Sequence, residues 1–520
     1  MKNKDFKIVS GVLKKYRGKD SNVIIPNGVE KIGKKAFKGC KNITSIIISD
    51  DVTEIEEYAF YKCASLKSVT FGKSAKIINT YSFFNCESLT EVTIESESLS
   101  NPFVLYDKYK KSNIKSILKS INSGVFFGCN KLKTVKYGKH VRNIDFHIFR
   151  NCPNIEEYIV DEKNVFFSSI YGVIYSMDKS KLIKYPIGKK CDNFVVPNYV
   201  TEVSDRAFYG CKGLTTVTIE SESIGDYAFC GCEELKSVKF GNGVKKIGTH
   251  AFSDCKKLAG VIIHKDIKEI GAHAFQDCKE IRELTIESES IGDYAFYGCK
   301  GLKSIKIGAG VKEIGENAFL YCNGEQATLT ISDGVEKIGN YAFKEFNGLK
   351  EITIESGSIG DRAFYGCKGL KSIKIGAGVK EIGENAFLYC NGEQVTLTIS
   401  DGVEKIGKYA FKEFNGLKEI TIESGSIGDR AFYGCKGLTT VTIESGSIGD
   451  RAFYGCDALK TIRLGKNVSE INEYAFTYNA YGDMSSIKCF CEASEKPASW
   501  HNNWINSNVS ITWGVDISKI

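Results

Sequence analysis

The sequence predicts a repeat solenoid of the α/β type, with a parallel β-sheet on one face and short irregular or helical connections on the other. Three observations predict it. A phenylalanine recurs every 21 to 24 residues along most of the chain, at 37, 60, 83, 126, 149, 208, 229, 252, 275, 296, 319, 343, 364, 387, 411, 432, 453 and 476. Its neighbours return with it: Ala59-Phe60-Tyr61-Lys62-Cys63, then Leu66, Val69 and Phe71, matches Ala251-Phe252-Ser253-Asp254-Cys255, then Leu258, Val261 and Ile263. The segment between alternates apolar and polar residues as a half-buried strand does. A period this short describes one turn of a stack, because a single unit cannot bury its own apolar side and must cover it with its neighbours.

Within a unit such as Leu302 to Cys322, the strand comes first. Leu302, Ile305 and Ile307 turn inward, so Ser304 and Lys306 face out, and successive turns lay these strands side by side in a parallel sheet. The chain then returns along the opposite side with Val311, Ile314, Ala318, Phe319 and Cys322 inward, and Gly315 suits the tight bend, as do Gly33, Gly248 and Gly383. Two unit lengths alternate. The longer carries Gly241 to Gly248 after its strand and the shorter carries Glu220 to Gly225, so the difference falls on the connection and spares the sheet. Residues 291–358 recur as 359–426 with three substitutions, Tyr294/Arg362, Ala327/Val395 and Asn340/Lys408. Whole turns were copied, which predicts a function carried by length and repeated weak contacts, since one unique site gains nothing from duplication.

Composition narrows the function classes. A formal charge of +7 arises from 70 basic and 63 acidic residues, too balanced to drive binding to nucleic acid or anionic lipid. No apolar run approaches a membrane span, and Met1-Lys2-Asn3-Lys4-Asp5-Phe6 lacks the apolar stretch of a secretory signal, so no export signal is expected. Fifteen of the 19 cysteines fall three residues after the repeat phenylalanine, in a slot filled elsewhere by Phe346 and Phe414. A slot that takes phenylalanine is core, where a thiol serves as a small hydrophobe. Neighbouring turns hold equivalent Cβ atoms about 4.8 Å apart, beyond the usual disulfide separation, so these cysteines are expected reduced. Metal-ligand spacing is absent, and no metal or cofactor is expected.

The pattern divides the chain into an N-terminal cap over 1–21, repeats over 22–160 with a basic insertion near 99–120, a β-hairpin insertion over 161–193, repeats over 194–480, and a tryptophan-containing C-terminal cap over 481–520. In the basic insertion, Ile114, Ile117, Leu118 and Ile121 recur at helical spacing among Lys108, Lys110, Lys111, Lys115 and Lys119. A helix laid on the solenoid with a solvated lysine face competes with a contact for an acidic partner. The hairpin is expected around Asp178-Lys179-Ser180. Trp500, Trp504 and Trp513 all lie in the last 21 residues, either as a lid over the last exposed core or as an aromatic platform for sugar or peptide.

No phosphate loop, nucleophile elbow or zinc-protease motif is present, and no enzyme is expected. His147, His250 and His273 share the position two before the phenylalanine. That position elsewhere mostly holds Tyr, Asn or Arg, which sets a solvent-facing column against a metal ladder. The outward strand positions make the best binding candidate. They read Thr218, Lys239, Ile262, Thr285, Lys306, Thr330, Thr353, Lys374, Thr398, Thr421, Thr442 and Arg463, beside a row that includes Glu283, Glu351 and Glu419. Few aromatic anchors occur there, so contacts are expected to be weak per turn and summed over many.

The unit Ile-Gly-x-x-Ala-Phe-x-x-Cys-x-x-Leu-x-x-Ile-x-Ile resembles the leucine-rich repeat of the BspA-like, Treponema type, from Asn22 to about Phe490. The resemblance implies a leucine-rich repeat solenoid of about 18 turns, no cofactor, and adhesion at a cell surface. Its partner would be a host or microbial surface protein, with carbohydrate a further candidate. An intracellular scaffold using the same surface is the alternative, consistent with the missing signal and the reduced thiols.

Overall fold

A computed structural model of the chain describes residues 3–100, 124–390, 392, 395–423, 425–477 and 487–520. The fold is a parallel β-solenoid of about 20 turns. It divides into two compact units, Met1–Asp192 with Tyr199–Leu214, and Asn193–Asn198 with Thr215–Ile520.

In the second unit most turns contribute a strand of four or more residues and a short second one, and in Leu349–Ile359, Ser372–Ile382, Thr440–Ile448 and Thr461–Ile471 the two run together as one strand. Ser304–Ile307 pairs in parallel with Glu283–Ile286 on one side and Ala327–Ile331 on the other, in register at Leu284, Ile305 and Leu329. Ser304 and Lys306 are exposed while Ile305 and Ile307 are buried, the alternation that one-sided burial imposes. Glu313–Ile314 pairs likewise with Ser290–Ile291 and Lys337–Ile338.

The connections take the non-helical form of the two that the sequence left open. Among the described residues, helix is confined to three short 3₁₀ segments, Asn3–Asp5, Phe146–Phe149 and Ile517–Lys519. An α-helix is about 10–12 Å across, twice the ~4.8 Å spacing of adjacent strands, so a helix on every turn would splay that side apart; here the phenylalanines of the return path stay 4.9–5.2 Å apart. The return path is instead a regular wall of turns. Asn317 (φ 57°) and Tyr321 (φ 61°), two residues either side of Phe319, both adopt the left-handed conformation. This aims their amides at the next turn: Asn317 N–H donates to Asn340 O at 3.0 Å and Tyr321 N–H to Lys344 O at 3.3 Å, with Phe319 N–H between them donating to Ala342 O at 2.7 Å. The same pair recurs at His250 and Asp254, Tyr341 and Glu345, and Tyr409 and Glu413.

The core is a column of stacked phenylalanines. From Phe229 to Phe476 successive ring centroids lie 4.9–5.2 Å apart with planes within 1–9° of parallel. Beside it runs the cysteine column. All nineteen cysteines are thiols. A typical repeat thiol donates to the phenylalanine carbonyl of the preceding turn, Cys322 Sγ to Phe296 O at 3.1 Å and Cys390 Sγ to Phe364 O at 3.1 Å. Each such carbonyl also accepts the cysteine N–H of its own turn, as Phe296 O does from Cys299, so both lone pairs are used. Burial pushes the Cys322 and Cys390 thiols above their ordinary pKa, and half-buried Cys40 rises to about 11.

The first unit repeats this plan. Asn22–Ile24, Ser45–Ile48, Ser68–Phe71, Glu91–Ile94, Thr134–Tyr137 and Glu157–Val160 form a six-stranded parallel sheet over the column Phe37, Phe60, Phe83, Phe126 and Phe149. Phe6–Val9 pairs antiparallel with Val12–Tyr16, and the Tyr16 ring stacks on Phe37 at 5.1 Å. In the inserted segment Phe167–Ile170, Val173–Ser176 and Lys181–Lys184 pair antiparallel in series, one strand more than the sequence suggested. Tyr185 then stacks on Phe208 at 4.9 Å, and its N–H donates to Ala207 O as Tyr16 N–H does to Ala36 O. The lysines and helical positions of the basic insertion lie outside the described residues.

At the other end, Lys488–Cys491 and Ser510–Trp513 extend the sheet beyond Thr461–Ile471. Trp504 O accepts the Phe476 N–H at 2.9 Å, the bond that a further turn would supply, and the Trp504 ring meets Phe476 edge-on at 6.0 Å. Trp500 and Trp504 are only 2% exposed, so these two rings are a lid and not a platform.

Candidate functional site

Two outward surfaces of the second unit carry side chains able to recognise a partner, and they lie on different walls of the solenoid. The first is the strand face. Parallel register aligns Ile262, Thr285, Lys306, Thr330, Thr353, Lys374 and Thr398 in one row, and likewise Thr218 with Lys239, and Thr421 with Thr442 and Arg463. Lys239, Lys306, Thr330, Lys374, Thr398 and Thr421 are exposed, and Thr218, Thr285, Thr353 and Thr442 are half-buried by their neighbours. Ile262 stands 75% exposed among them, the one large apolar side chain of this row so open. Lys374 pairs with Glu355 at 3.2 Å and not with Glu351 of the adjacent row. Arg463 differs from the rest, because the last residues of the chain lie over it and Arg463 Nη2 donates to Ile520 O at 3.0 Å.

The second surface is the outer wall of turns. Left-handed backbone two residues before each phenylalanine throws that side chain outward, and the residue after the phenylalanine lies beside it. Sequence reasoning treated this position only as a histidine question. In the structure it builds columns: Tyr227, His250, His273 and Tyr294 stack in succession at 4.6, 4.5 and 4.8 Å. Burial and the neighbouring His273 hold the His250 imidazole below its ordinary pKa. His273 Nδ1 lies 2.7 Å from Gln276 Oε1, a second-row contact that orients the ring. Among the described residues no group of His, Cys, Asp and Glu is placed to hold a metal ion.

Further along the wall, tyrosines alternate with cations. Arg362 Nη1 donates to Tyr341 Oη at 3.0 Å with its guanidinium 5.6 Å from that ring centre. Arg430 repeats this on Tyr409 at 3.1 and 5.8 Å. Lys412 Nζ sits 5.5 Å from the Tyr409 ring and 5.7 Å from Tyr433, and Lys344 bridges Tyr341 and Tyr365 in the same way at 5.6 and 5.5 Å. Shallow hollows of about 370 and 340 Å³ open on this wall, the first beside Tyr365 and Tyr389, the second between Tyr409, Arg430, Tyr433 and Tyr454. The signal that could have found it was present: Tyr, Arg and Lys recur at fixed offsets from the phenylalanine.

Comparison with known proteins bears on the whole chain. No curated protein matches it. Among solved structures it is similar to a leucine-rich repeat protein from Bacteroides ovatus, at 20% identity and a TM-score of 0.41 over 99% of this chain and 96% of that one. It is similar also to a leucine-rich repeat protein from Eubacterium ventriosum, at 19% identity and a TM-score of 0.36 over 79% and 89%. A leucine-rich cell surface protein from Faecalibacterium prausnitzii aligns at 22% identity and a TM-score of 0.27 over 87% and 90%. The model of the BspA-type leucine-rich repeat region matches six times, over residues 15–101, 100–186, 187–289, 283–393, 356–447 and 393–492. With its repeat wording, its stacked core and these matches in agreement, the chain belongs to the BspA-type leucine-rich repeat family.

Proposed function

We propose that the protein is a non-enzymatic scaffold for protein–protein interaction that acts in adhesion, displayed at a cell surface or secreted, with a host or microbial surface protein as partner. The observation that carries the reading is the strand-face row from Thr218 to Thr442, aligned in register and open to solvent at Lys239, Lys306, Lys374 and Thr421. A surface of this kind binds through many weak equivalent contacts, so copying a block of turns lengthens it without disturbing any one site. The family membership supports the adhesion reading.

Deleting 359–426 tests the distributed mode. The cut joins Ser358 to Ile427 as Ser426 joins it in the intact chain, so the phenylalanine and strand columns close in register. With a partner taken from a pull-down on matrix proteins, mucin and whole-cell lysates, the deletion should fold and bind with lowered avidity. Complete loss of binding in a folded deletion would mean a single localised site. The nineteen thiols favour a second reading, an intracellular scaffold. Fractionation of native cells separates the two, and recovery from the cytosol alone would sink the adhesion reading.

A further inference from the structure

The outer wall between Tyr341 and Tyr474 has a chemistry that the strand face lacks. Most of its tyrosines lie face to face or under cations, as Tyr433 does on Tyr454 at 5.4 Å, while Tyr389 meets Tyr365 edge-on at 5.5 Å. The cations are held in place. Arg362 and Arg430 each rest on a tyrosine hydroxyl, and Arg451 lies 5.0 Å over Tyr474, which lowers the ordering cost of meeting an anion.

The carboxylates of this wall are largely committed. Asp361 and Asp429 each accept a backbone N–H of the following turn, at 2.7 and 3.0 Å. Glu413 pairs with Lys412 at 3.3 Å, and Asp450 with Arg451 at 2.6 Å and Arg430 at 3.9 Å. No carboxylate among the described residues lies within ion-pair range of Arg362 or Lys408. On the neighbouring wall Lys337 pairs with Glu313 and Lys405 with Glu381, each cation with its own carboxylate; here Arg430 and Arg451 share the single carboxylate of Asp450.

The duplicated block adds an independent observation. Two of its three differences fall on this wall, and both introduce a cation beside a tyrosine: Tyr294 becomes Arg362, seated on Tyr341, and Asn340 becomes Lys408, 5.3 Å from the Tyr409 ring. The third, Ala327 to Val395, is buried. Both surface differences between the copies thus give the second block a cation that the first lacks.

We propose that this wall binds a linear anionic polysaccharide, laid along the solenoid axis with its carboxylate or sulfate groups on Arg362, Lys408, Arg430 and Arg451 and its hydroxyls on the tyrosines. Spacing selects the polymer. Successive phenylalanine rings here lie 5.0–5.1 Å apart, close to one extended pyranose ring per turn, with Arg362 two turns before Lys408 and Arg430 and Arg451 on the next two. An extended peptide brings same-side carboxylates only every ~6.8 Å, out of step with that advance. Single-stranded nucleic acid stacks its bases on open aromatic faces, and Tyr341, Tyr409, Tyr433 and Tyr454 each have a cation or a second ring over a face.

Biolayer interferometry on the full chain tests the assignment, with immobilised heparin and hyaluronan separating sulfate from carboxylate, and dextran, polyglutamate and poly-dT as competitors of other classes. At least one of the two acidic glycans should bind, more weakly as salt rises, and dextran should not. Arg362→Tyr with Lys408→Asn places at each position the residue that the first block already folds with. It should weaken binding roughly fivefold or more, since each lost cation removes a charge-assisted contact. Arg430→Gln with Arg451→Gln should do the same. Lys239→Gln with Lys306→Gln on the strand face removes the same charge and should cost less than about twofold, because exposed charges more than a Debye length from the ligand are largely screened. Equal losses from wall and strand-face variants would overturn the proposal, as would binding to neither glycan, or binding to polyglutamate or poly-dT as tight as to the better glycan. These results leave the strand-face reading untouched, because its own test is the block deletion with a protein partner.

Discussion

Replacing Phe319 by alanine probes the stacked core at one turn. The ring is fully buried, with Phe296 at 5.0 Å and Phe343 at 4.9 Å on its two faces. Burying a phenylalanine removes about 150–250 Å² from water, worth about 4–6 kcal/mol at ~25 cal/mol per Å². Alanine keeps part of that, and the stack cannot collapse into the gap without shifting its neighbours, so the expected loss is about 3–5 kcal/mol. Phe319→Leu restores most of the volume and forfeits two ring pairs of about 0.5–1.5 kcal/mol each, so its expected loss is about 1–3 kcal/mol. In a solenoid the damage is local, which makes a single melting temperature a poor readout. Hydrogen exchange read peptide by peptide is the better assay. Protection should fall at the Phe319 and Phe296 amides, bonded to Ala342 O and Ala318 O, and hold at the Phe432 amide several turns away. Lys306→Ala, at an exposed strand position, should change little anywhere. If Phe319→Ala lowered protection no more than Lys306→Ala, or lowered it evenly along the chain, the picture of a stacked, nearest-neighbour core would be wrong.

Thiol titration without reductant should count nineteen reactive groups in denaturant. In the native protein it should find at most Cys40, Cys191 and Cys230 reacting quickly, the three that are not fully buried; a majority found paired would refute the reduced column. Stability should decline as pH falls from 7.5 to 5.5. The native His250 pKa lies below the unfolded value of about 6.5, so in that window the unfolded chain takes up a proton that the folded stack resists. Exchanging both stacked imidazoles, His250→Tyr with His273→Tyr, should flatten the thermal pH profile, and an unchanged slope would exclude the stack as its cause. Trp504→Ala should open the C-terminal lid and raise exchange at the Phe476 amide first, whereas unaltered protection there would show that the last core is closed by something else.

The inward residues were legible in the sequence because burial on one side of a strand repeats with period two and stacking repeats with the turn. Phe319, Cys322 and Ile305 each appear at a fixed offset, and each is buried. The strand-face row was legible for the same reason, as the complement of the inward set, though not the cover over Arg463, which depends on where a non-repeating tail folds back. The outer wall was less so. Apolar pattern reports what faces in and leaves the path of the outward backbone open, and Tyr, Arg and Asn at left-handed positions give no hydrophobic period. Helical or irregular return paths were equally consistent with Val311, Ile314 and Phe319 inward, and the left-handed residues at Asn317 and Tyr321 decide between them.

The left-handed residue pair of each turn sets which amino acids this surface can try. At the position two before the phenylalanine the left-handed occupants are Lys, Tyr, Arg, His and Asn; at the position two after, they are Gly, Lys, Asn, Asp, Tyr and Glu. Valine, isoleucine and threonine are missing from both, since a branched β-carbon is what that conformation tolerates least. Drift at these sites is thereby channelled into long, polar or aromatic side chains suited to contact, while the backbone hydrogen bonds that hold adjacent turns stay the same. The wall thus works as a fixed frame with a restricted alphabet, and the exchange of Tyr294 for Arg362 between otherwise near-identical blocks is one letter changed within it.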